Sequence, residues 1–141
     1  MAVTHKLYGP VMKNIASGAI TQLDSTAILV SLMATDWSAF NQDNEYWATI
    51  STGEKSTDDY TPGGVSLDGR ALAYADRITT LTATSETVFT SSGTISSPFA
   101  VVRATCHLIS CIDFDGVRSS LEGKFAIAWA DNKVIEFEVS S

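Results

Sequence analysis

The clearest pattern lies near the end of the chain, where apolar residues recur at every second position. Phe125, Ile127 and Trp129 alternate with small alanines, and residues 135–139 alternate apolar side chains with glutamates. This period of two is typical of strands with one packed and one hydrated face. Asp131-Asn132-Lys133 separates the runs, and Asp and Asn tolerate the positive φ of a tight turn. The pattern predicts a C-terminal hairpin of two antiparallel strands.

Similar runs fill much of the chain from residue 26 onward. Residues 26–34 are apolar on both faces, which predicts a buried strand. Residues 99–114 form the longest extended candidate, which Asp115-Gly116 should end. Further strands are predicted over 65–74, 77–83 and 86–90. About six to eight strands between turn signals predict an all-β fold, either an antiparallel β-sandwich or a jelly-roll-like barrel.

The N-terminal region carries the one helical signal. Five apolar residues recur there at helical spacing: Leu7, Tyr8, Val11, Met12 and Ile15. Pro10 is tolerated only in the first turn, so the helix should begin near Tyr8 or Gly9, and Ser17-Gly18 supplies a stop. We expect one short N-terminal helix near residues 8–17.

The length of 141 residues fits a single β domain over residues 1–141. Residues 1–8 precede the first predicted element and should form an arm. Residues 36–62 mix aromatic and acidic side chains without a clear period, and they end in loop-forming residues. We expect a long loop or insertion there, because loops beyond about 15 residues usually carry a function or have structure of their own.

Composition and charge narrow the classes of partner. Ser and Thr supply 33 residues and Val and Ile another 20, which favours pleated sheet. The net charge is −7, and residues 24–68 hold eight acids against Lys55 alone. A nucleic-acid partner is not expected, since it would require a basic surface. Without a signal-peptide pattern or an apolar run of about 20 residues, we expect no membrane association and synthesis in the cytoplasm.

The cysteines and histidines offer little chemistry in this pattern. Cys106 and His107 are neighbours on a predicted strand, so their side chains should point to opposite faces and not meet. On an extended strand, Cys106 and Cys111 would be about 16 Å apart, too far for a disulfide. We expect two unlinked, largely buried thiols.

Acidic and glycine-rich stretches are the candidates for a catalytic or metal site. Asp58-Asp59 and the pair Asp113 and Asp115 are the carboxylate candidates, and the second pair reads either as a metal site or, more simply, as a strand-ending turn. The run 61–64 lacks the lysine of a phosphate loop. With no catalytic triad or ligand cluster, we expect a protein that is not an enzyme and needs no cofactor or metal.

The order of several motifs resembles a family of small structural proteins of tailed-bacteriophage virions. The motifs are KLYG at 6–9, AILVSL at 27–32, YTPGGVSL at 60–67, AVV at 100–102, IDF at 112–114 and FAIAWADNKVIEF at 125–137. The family usually has a glycine in the last turn, where this chain has Asn132-Lys133, and residues 36–58 have no counterpart in the resemblance.

The resemblance implies a virion structural role. The expected function is a capsid decoration or cement protein on the outer head surface, with the major capsid protein or other virion proteins as partners and a dimer or trimer as its own state. Two alternatives are a head–tail, tail or head-fibre-base component, and a carbohydrate-binding β-sandwich for host attachment.

Partner contacts are expected from residues 1–8 and 36–62. The first segment is basic, and the second combines large aromatic anchors with a polar rim, as interfaces do. Aromatic side chains are also the ordinary way to close one end of a β-sandwich, so a core role for them stays open beside the interface role. The predicted contact residues are His5, Lys6, Leu7, Tyr8, Trp37, Phe40, Tyr46, Trp47 and Tyr60.

Overall fold

A computed structural model describes residues 4–24, 27–37, 40–57, 60–90, 93–120 and 124–138. In chain order the elements are β1 (Thr4–Leu7), α1 (Val11–Ser17), β2 (Leu29–Leu32), α2 (Trp47–Ile50), β3 (Val65–Ser66), β4 (Ala71–Ala75), β5 (Ile78–Thr82), β6 (Glu86–Thr90), β7 (Ser96–Ala104), β8 (His107–Ser119), β9 (Lys124–Ala128) and β10 (Lys133–Glu138). All pairings between these strands are antiparallel, so the fold is all-β with few helical residues.

The strands form three sheets. The largest has five strands in the order β1-β8-β7-β2-β3, the second has the order β10-β5-β4, and the third pairs β6 with β9. Apolar side chains from all three sheets meet in one main core, represented by Val30, Leu81, Phe89 and Ile127. The burial of these side chains is the main source of stability for the packed sheets.

The five-stranded sheet is covered on both faces. Val30 and Val102 point into the main core, whereas Met33 and Val101 belong to a second, smaller core on the opposite face. The apolar run at 26–34 predicted such a strand, and its described part contains β2, whose Val30, Ser31 and Leu32 are all buried.

The long extended candidate at 99–114 is a hairpin, and the prediction of one strand was wrong. Strand β7 ends at Ala104, Thr105 takes a positive φ of 55°, and β8 begins at His107. No glycine, proline or asparagine marks this turn, so the sequence carried no conventional signal for it. Pairing along both strands stabilises the turn instead.

Asp115-Gly116 does not end β8 either. Both residues have positive φ, 56° and 107°, and β8 continues beyond them to Ser119. The register against β7 shifts between Ser97 and Phe99, next to this point. A bulge explains both observations, because extra residues in one strand bend it without ending its pairing.

The C-terminal hairpin was also predicted incorrectly. Strand β9 pairs with β6, and β10 pairs with β5 in another sheet. The turn itself is present, with φ of 54° at Asp131 and 60° at Asn132. Alternation fixes which face of a strand is buried, but any strand with a matching face can be its neighbour. Val139 lies outside the described residues.

The N-terminal segment is partly a strand, where an arm was expected. Thr4–Leu7 forms β1 at the edge of the large sheet, paired with β8. Helix α1 follows from Val11, with Pro10 at its N-cap and Gly18 at φ 83° after its last residue. Leu7 has the helical spacing but lies in β1, because backbone pairing with β8 is available before the proline.

The 36–62 stretch has structure of its own. It contains α2 and a 3-10 turn at Ser51–Gly53, and the backbone of Lys55 donates to the Leu32 carbonyl at 2.9 Å. Tyr60 links the stretch to the sheet, since its hydroxyl donates to Glu54 Oε1 at 2.8 Å and accepts from the Leu32 amide at 3.1 Å.

Replacing Tyr60 by Phe should lower the free energy of unfolding. The variant leaves the buried Leu32 amide without this acceptor, and an unsatisfied buried donor costs about 1–3 kcal/mol. Urea denaturation followed by tryptophan fluorescence measures the loss. Tyr74→Phe is the matched control, because Tyr74 is 68% exposed and should change stability little. Equal midpoints for the two variants would contradict the assigned hydrogen bonds.

Candidate interaction surface

Strand β1 presents an edge of the large sheet that no described strand covers. The Tyr8 amide donates to the Ile109 carbonyl at 3.0 Å, and this bond shows which residues of β1 have backbone groups that face β8. Alternate residues of an antiparallel strand bond to one neighbour, so Lys6 and Thr4 also bond toward β8. The backbone groups of His5 and Leu7 therefore point away from β8, toward an edge that has no strand partner among the described residues.

A groove of about 570 Å³ runs beside this edge. His5 and Leu7 line one side, and residues from Ala130 to Glu136 line the other. Asp131, Lys133 and Glu136 supply charge along that second side, with Lys133 Nζ 3.0 Å from a carboxylate oxygen of Glu136. The groove thus combines a free strand edge with an apolar wall and a charged rim.

A second cavity of about 370 Å³ continues the groove toward β9. It shares His5 and Lys133 with the first cavity and reaches Phe114 and the buried Trp129. Partner contacts were expected from residues 1–8 and 36–62, so the part of residues 130–136 in this surface was missed. Lys133 lies in the predicted turn Asp131-Asn132-Lys133, where a charged residue gave no reason to expect an interaction surface.

His5 sits between the two cavities. Its Nε2 lies 2.7 Å from Ser110 Oγ, and its ring centroid is 6.3 Å from that of Trp129. His5 is exposed, but these neighbours remove part of the water around its ring, which lowers the pKa of His5 below 6.5. The neutral imidazole is therefore favoured in the folded chain.

Four other predicted contact residues, Lys6, Tyr8, Trp37 and Phe40, lie on the opposite face of the sheet. The rings of Tyr8 and Phe40 are 5.0 Å apart, and Lys6 Nζ lies 5.8 Å from the Phe40 ring centre. Trp37 packs edge-on against Phe99 at 5.1 Å. These aromatic side chains contribute to the second core.

Arg103 holds this second core to the loop at residue 63. Its guanidinium lies 4.3 Å from the Trp47 ring centre and donates to the carbonyls of Gly63 and Thr105, at 2.8 and 2.6 Å. Its Nε donates to Ser31 Oγ at 3.2 Å. Burial lowers the pKa of Arg103. Sequence analysis missed this residue, because an arginine on an alternating strand looks like part of the hydrated face.

Two of the predicted contact residues are buried. Tyr8 has no exposed surface, and Tyr60 is only 6% exposed. Tyr8 belongs to the second core and Tyr60 to the main core. Their rings therefore offer no contact area in this structure, where an interface role was expected. Tyr46, by contrast, is 48% exposed.

The cysteine prediction was half wrong. Cys111 is buried and unlinked, but Cys106 is exposed and lies in the turn between β7 and β8. Because a turn does not alternate its side chains as a strand does, Cys106 Sγ comes within 3.4 Å of His107 Nδ1, a contact that the strand model excluded. The ring of His107 is 5.4 Å from that of Tyr46.

Asp113 and Asp115 do not gather a ligand set. Asp113 Oδ1 accepts from the Asp115 amide at 2.9 Å, which is turn chemistry inside the bulge. Across the described ranges, no three His, Cys, Asp or Glu side chains converge on a point where a metal ion would fit. Asp58-Asp59 lies outside the described residues.

No helix in the described part of the chain has the length and apolar content needed to cross a bilayer. Comparison of the chain with protein-family models, curated proteins and solved structures finds no match.

The His5 environment predicts a pH dependence of stability. The protonated ring is disfavoured in the folded chain, so the unfolded state binds more protons as the pH falls. The contribution of His5 to the free energy of unfolding is complete above pH 6.5, the ordinary pKa of histidine. It is lost as the pH falls through the lower pKa that His5 has in the folded chain. The melting temperature should fall between about pH 7 and 5, and this fall should be smaller in His5→Gln. A Thr4→Gln control on the same strand should retain it; an unchanged profile in His5→Gln would refute the assignment.

The thiols should differ in reactivity. Burial raises the pKa of Cys111 to about 12, which suppresses its thiolate, whereas Cys106 is open to solvent. Titration with a thiol reagent should modify one cysteine in the native protein and both in denaturant. Cys106→Ser should abolish the native reaction. Two rapidly reacting thiols in the folded parent would show that Cys111 is not enclosed.

Proposed function

We propose that this chain is a structural protein of a tailed-bacteriophage virion that binds the outer surface of the head as a decoration or cement protein. The order of sequence motifs suggests the virion class. The observation that carries the binding role is the open edge of β1 beside the groove. An uncovered edge next to an apolar groove suits the addition of an extended segment from another protein, since backbone bonds give affinity and side-chain pockets give specificity.

The three sheets are proposed to be arranged as a β-sandwich. Support comes from the main core, where Val30 of the large sheet meets Leu81 and Ile135 of the second sheet and Ile127 of the third. A sandwich holds its strand edges and end loops rigidly, so a partner segment would meet a preformed site with little ordering cost.

The proposed mechanism is stabilisation through linkage. A protein that binds only the assembled shell adds its binding free energy to that state, about 2.7 kcal/mol per site at a ligand concentration one hundred times Kd. A segment of the major capsid protein would pair with the outward backbone groups of His5 and Leu7. Lys133 and Glu136 would contact its polar side chains at the rim.

The alternatives remain with less support. A head–tail, tail or fibre-base component could use the same groove, and only the site of binding separates it from a decoration protein. Carbohydrate binding would need several exposed rings. Trp37, Phe40 and Trp47 instead pack against the sheet, which leaves Tyr46 as the exposed ring of that segment.

Strand addition at β1 can be tested with Leu7→Pro. Proline removes the outward amide of Leu7 but spares the bonds from Lys6 and Tyr8 to β8, and edge strands tolerate proline where the amide faces outward. Leu7→Val is the matched control, because it keeps the amide and an apolar side chain. In co-sedimentation with empty heads of the encoding phage, the parent and Leu7→Val should bind and Leu7→Pro should lose at least about tenfold in affinity.

Two further outcomes distinguish the alternatives. Binding to purified tails and not to heads would replace the decoration role with a tail role. Failure of the parent to bind any part of the particle would refute the virion proposal. Circular dichroism of Leu7→Pro must match that of the parent for lost binding to count.

A further inference from the structure

Among the described residues, strand β4 is an unprotected sheet edge, at the opposite side of its sheet from the strand that lines the β1 groove. It is the terminal strand of the sheet β10-β5-β4, and all five of its residues are exposed. Its sequence, Ala-Leu-Ala-Tyr-Ala, contains no charge and no proline, and its pairing with β5 runs over five residue pairs without a bulge. Natural edge strands usually contain a charged residue, a proline or a bulge, because an open edge can pair with strands of other molecules.

The hairpin turn fixes which backbone groups this edge offers. Asp76 and Arg77 form a two-residue turn with φ of 51° and 70°, and Ala75 pairs with Ile78 beside it. The pair that flanks a two-residue turn exchanges both hydrogen bonds, so alternate residues from Ala75 back to Ala71 bond to β5. The amides and carbonyls of Leu72 and Tyr74 therefore point outward.

We propose that β4 pairs in antiparallel fashion with β4 of a second copy of this chain, across a twofold axis at Ala73. In this register Leu72 of each copy lies opposite Tyr74 of the other, and the outward backbone groups of these two residues bond to each other. The two three-stranded sheets become one six-stranded sheet. Such an interface is isologous and closes at a dimer.

The side chains of β4 complement themselves in this register. Leu72 and Tyr74 are 41% and 68% exposed in the single chain, and aliphatic–aromatic pairs stabilise adjacent strands. Two residues beyond this pair, just outside the ends of β4, the twofold arrangement brings Arg70 of one copy toward the Asp76 end of the other. In the single chain Arg70 Nη1 donates to the Leu23 carbonyl at 2.9 Å, so the two ends contribute opposite charge near each other and not a direct ion pair. A parallel pairing would not bring these partners together, so the charges favour the antiparallel twofold arrangement.

The dimer leaves the candidate interaction surface open. Strand β10, which lines the groove, is at the opposite edge of the same sheet from β4. Self-association through β4 therefore does not rest on the proposed function, and each dimer would carry two grooves.

Disulfide trapping tests the register directly. In a Cys106→Ser background, Ala73→Cys places two thiols across the axis in a non-hydrogen-bonded pair, about 4.5 Å apart at Cα, which a disulfide can span. Ala71→Cys is the matched control on the same strand and face, but its two copies would be about 14 Å apart. Mild oxidation should link Ala73→Cys into dimers and leave Ala71→Cys monomeric. Equal linkage of both, or of neither, would overturn the register.

Sedimentation equilibrium of the full chain tests the association itself. The parent should dimerise, and Tyr74→Lys should weaken dimerisation by about tenfold or more, because it removes the aromatic contact and brings two cations to the interface. Val117→Lys is the control, since Val117 is 52% exposed on β8, in another sheet. A parent that stays monomeric at about 0.5 mM, well above typical weak-dimer constants, would refute the proposal, as would a Tyr74→Lys protein that dimerises like the parent.

Discussion

The β7–β8 hairpin is the interaction on which the rest of the structure depends. Its two strands are the longest in the described chain and lie at the centre of the five-stranded sheet. Ala100 and Val102 face the main core, and Val101 faces the second core. Strands β1 and β2 pair with its two outer edges, and aromatic residues of the 36–62 stretch cover one of its faces. A one-residue shift in its register would turn each side chain to the opposite face, so that residues of the main core would point toward the second core.

Buried polar groups then decide how the irregular segments are placed. Arg103 spans from the sheet to the loop at Gly63, and Trp47 covers its guanidinium. Burying an arginine is costly unless its donors are satisfied, and the three hydrogen bonds to Ser31, Gly63 and Thr105 offset that cost. Gly64 adds a steric condition, because a Cβ there would lie 2.4 Å from the Val30 carbonyl oxygen. A packed apolar sheet thus uses one charged side chain to position a long connection.

Sheet edges are where this fold has free bonding capacity. Strand β3 is only two residues long, and a short edge recruits poorly. Strands β1 and β4 are longer, uncovered among the described residues, and belong to different sheets. Their surroundings differ: β1 opens onto a groove with charged residues, whereas β4 stands in solvent with a self-complementary sequence. This difference is why we assign a foreign segment to the first and a second copy to the second.

The sequence by itself determined the fold class and the burial of individual strands. Period-two alternation identified the buried face of β9, the apolar run at 26–34 predicted the buried strand β2, and Asp131-Asn132 marked a turn, because these signals are local. Only the tertiary structure decided that β9 pairs with β6, that Thr105 turns the chain, and that Trp37 and Phe40 pack inward while Tyr46 stays exposed. Those outcomes depend on which surfaces meet after folding. The candidate surface followed the same rule: His5 and Leu7 were predicted, but Lys133 and Ile135 reach it from the far end of the chain through pairing that no local pattern encodes.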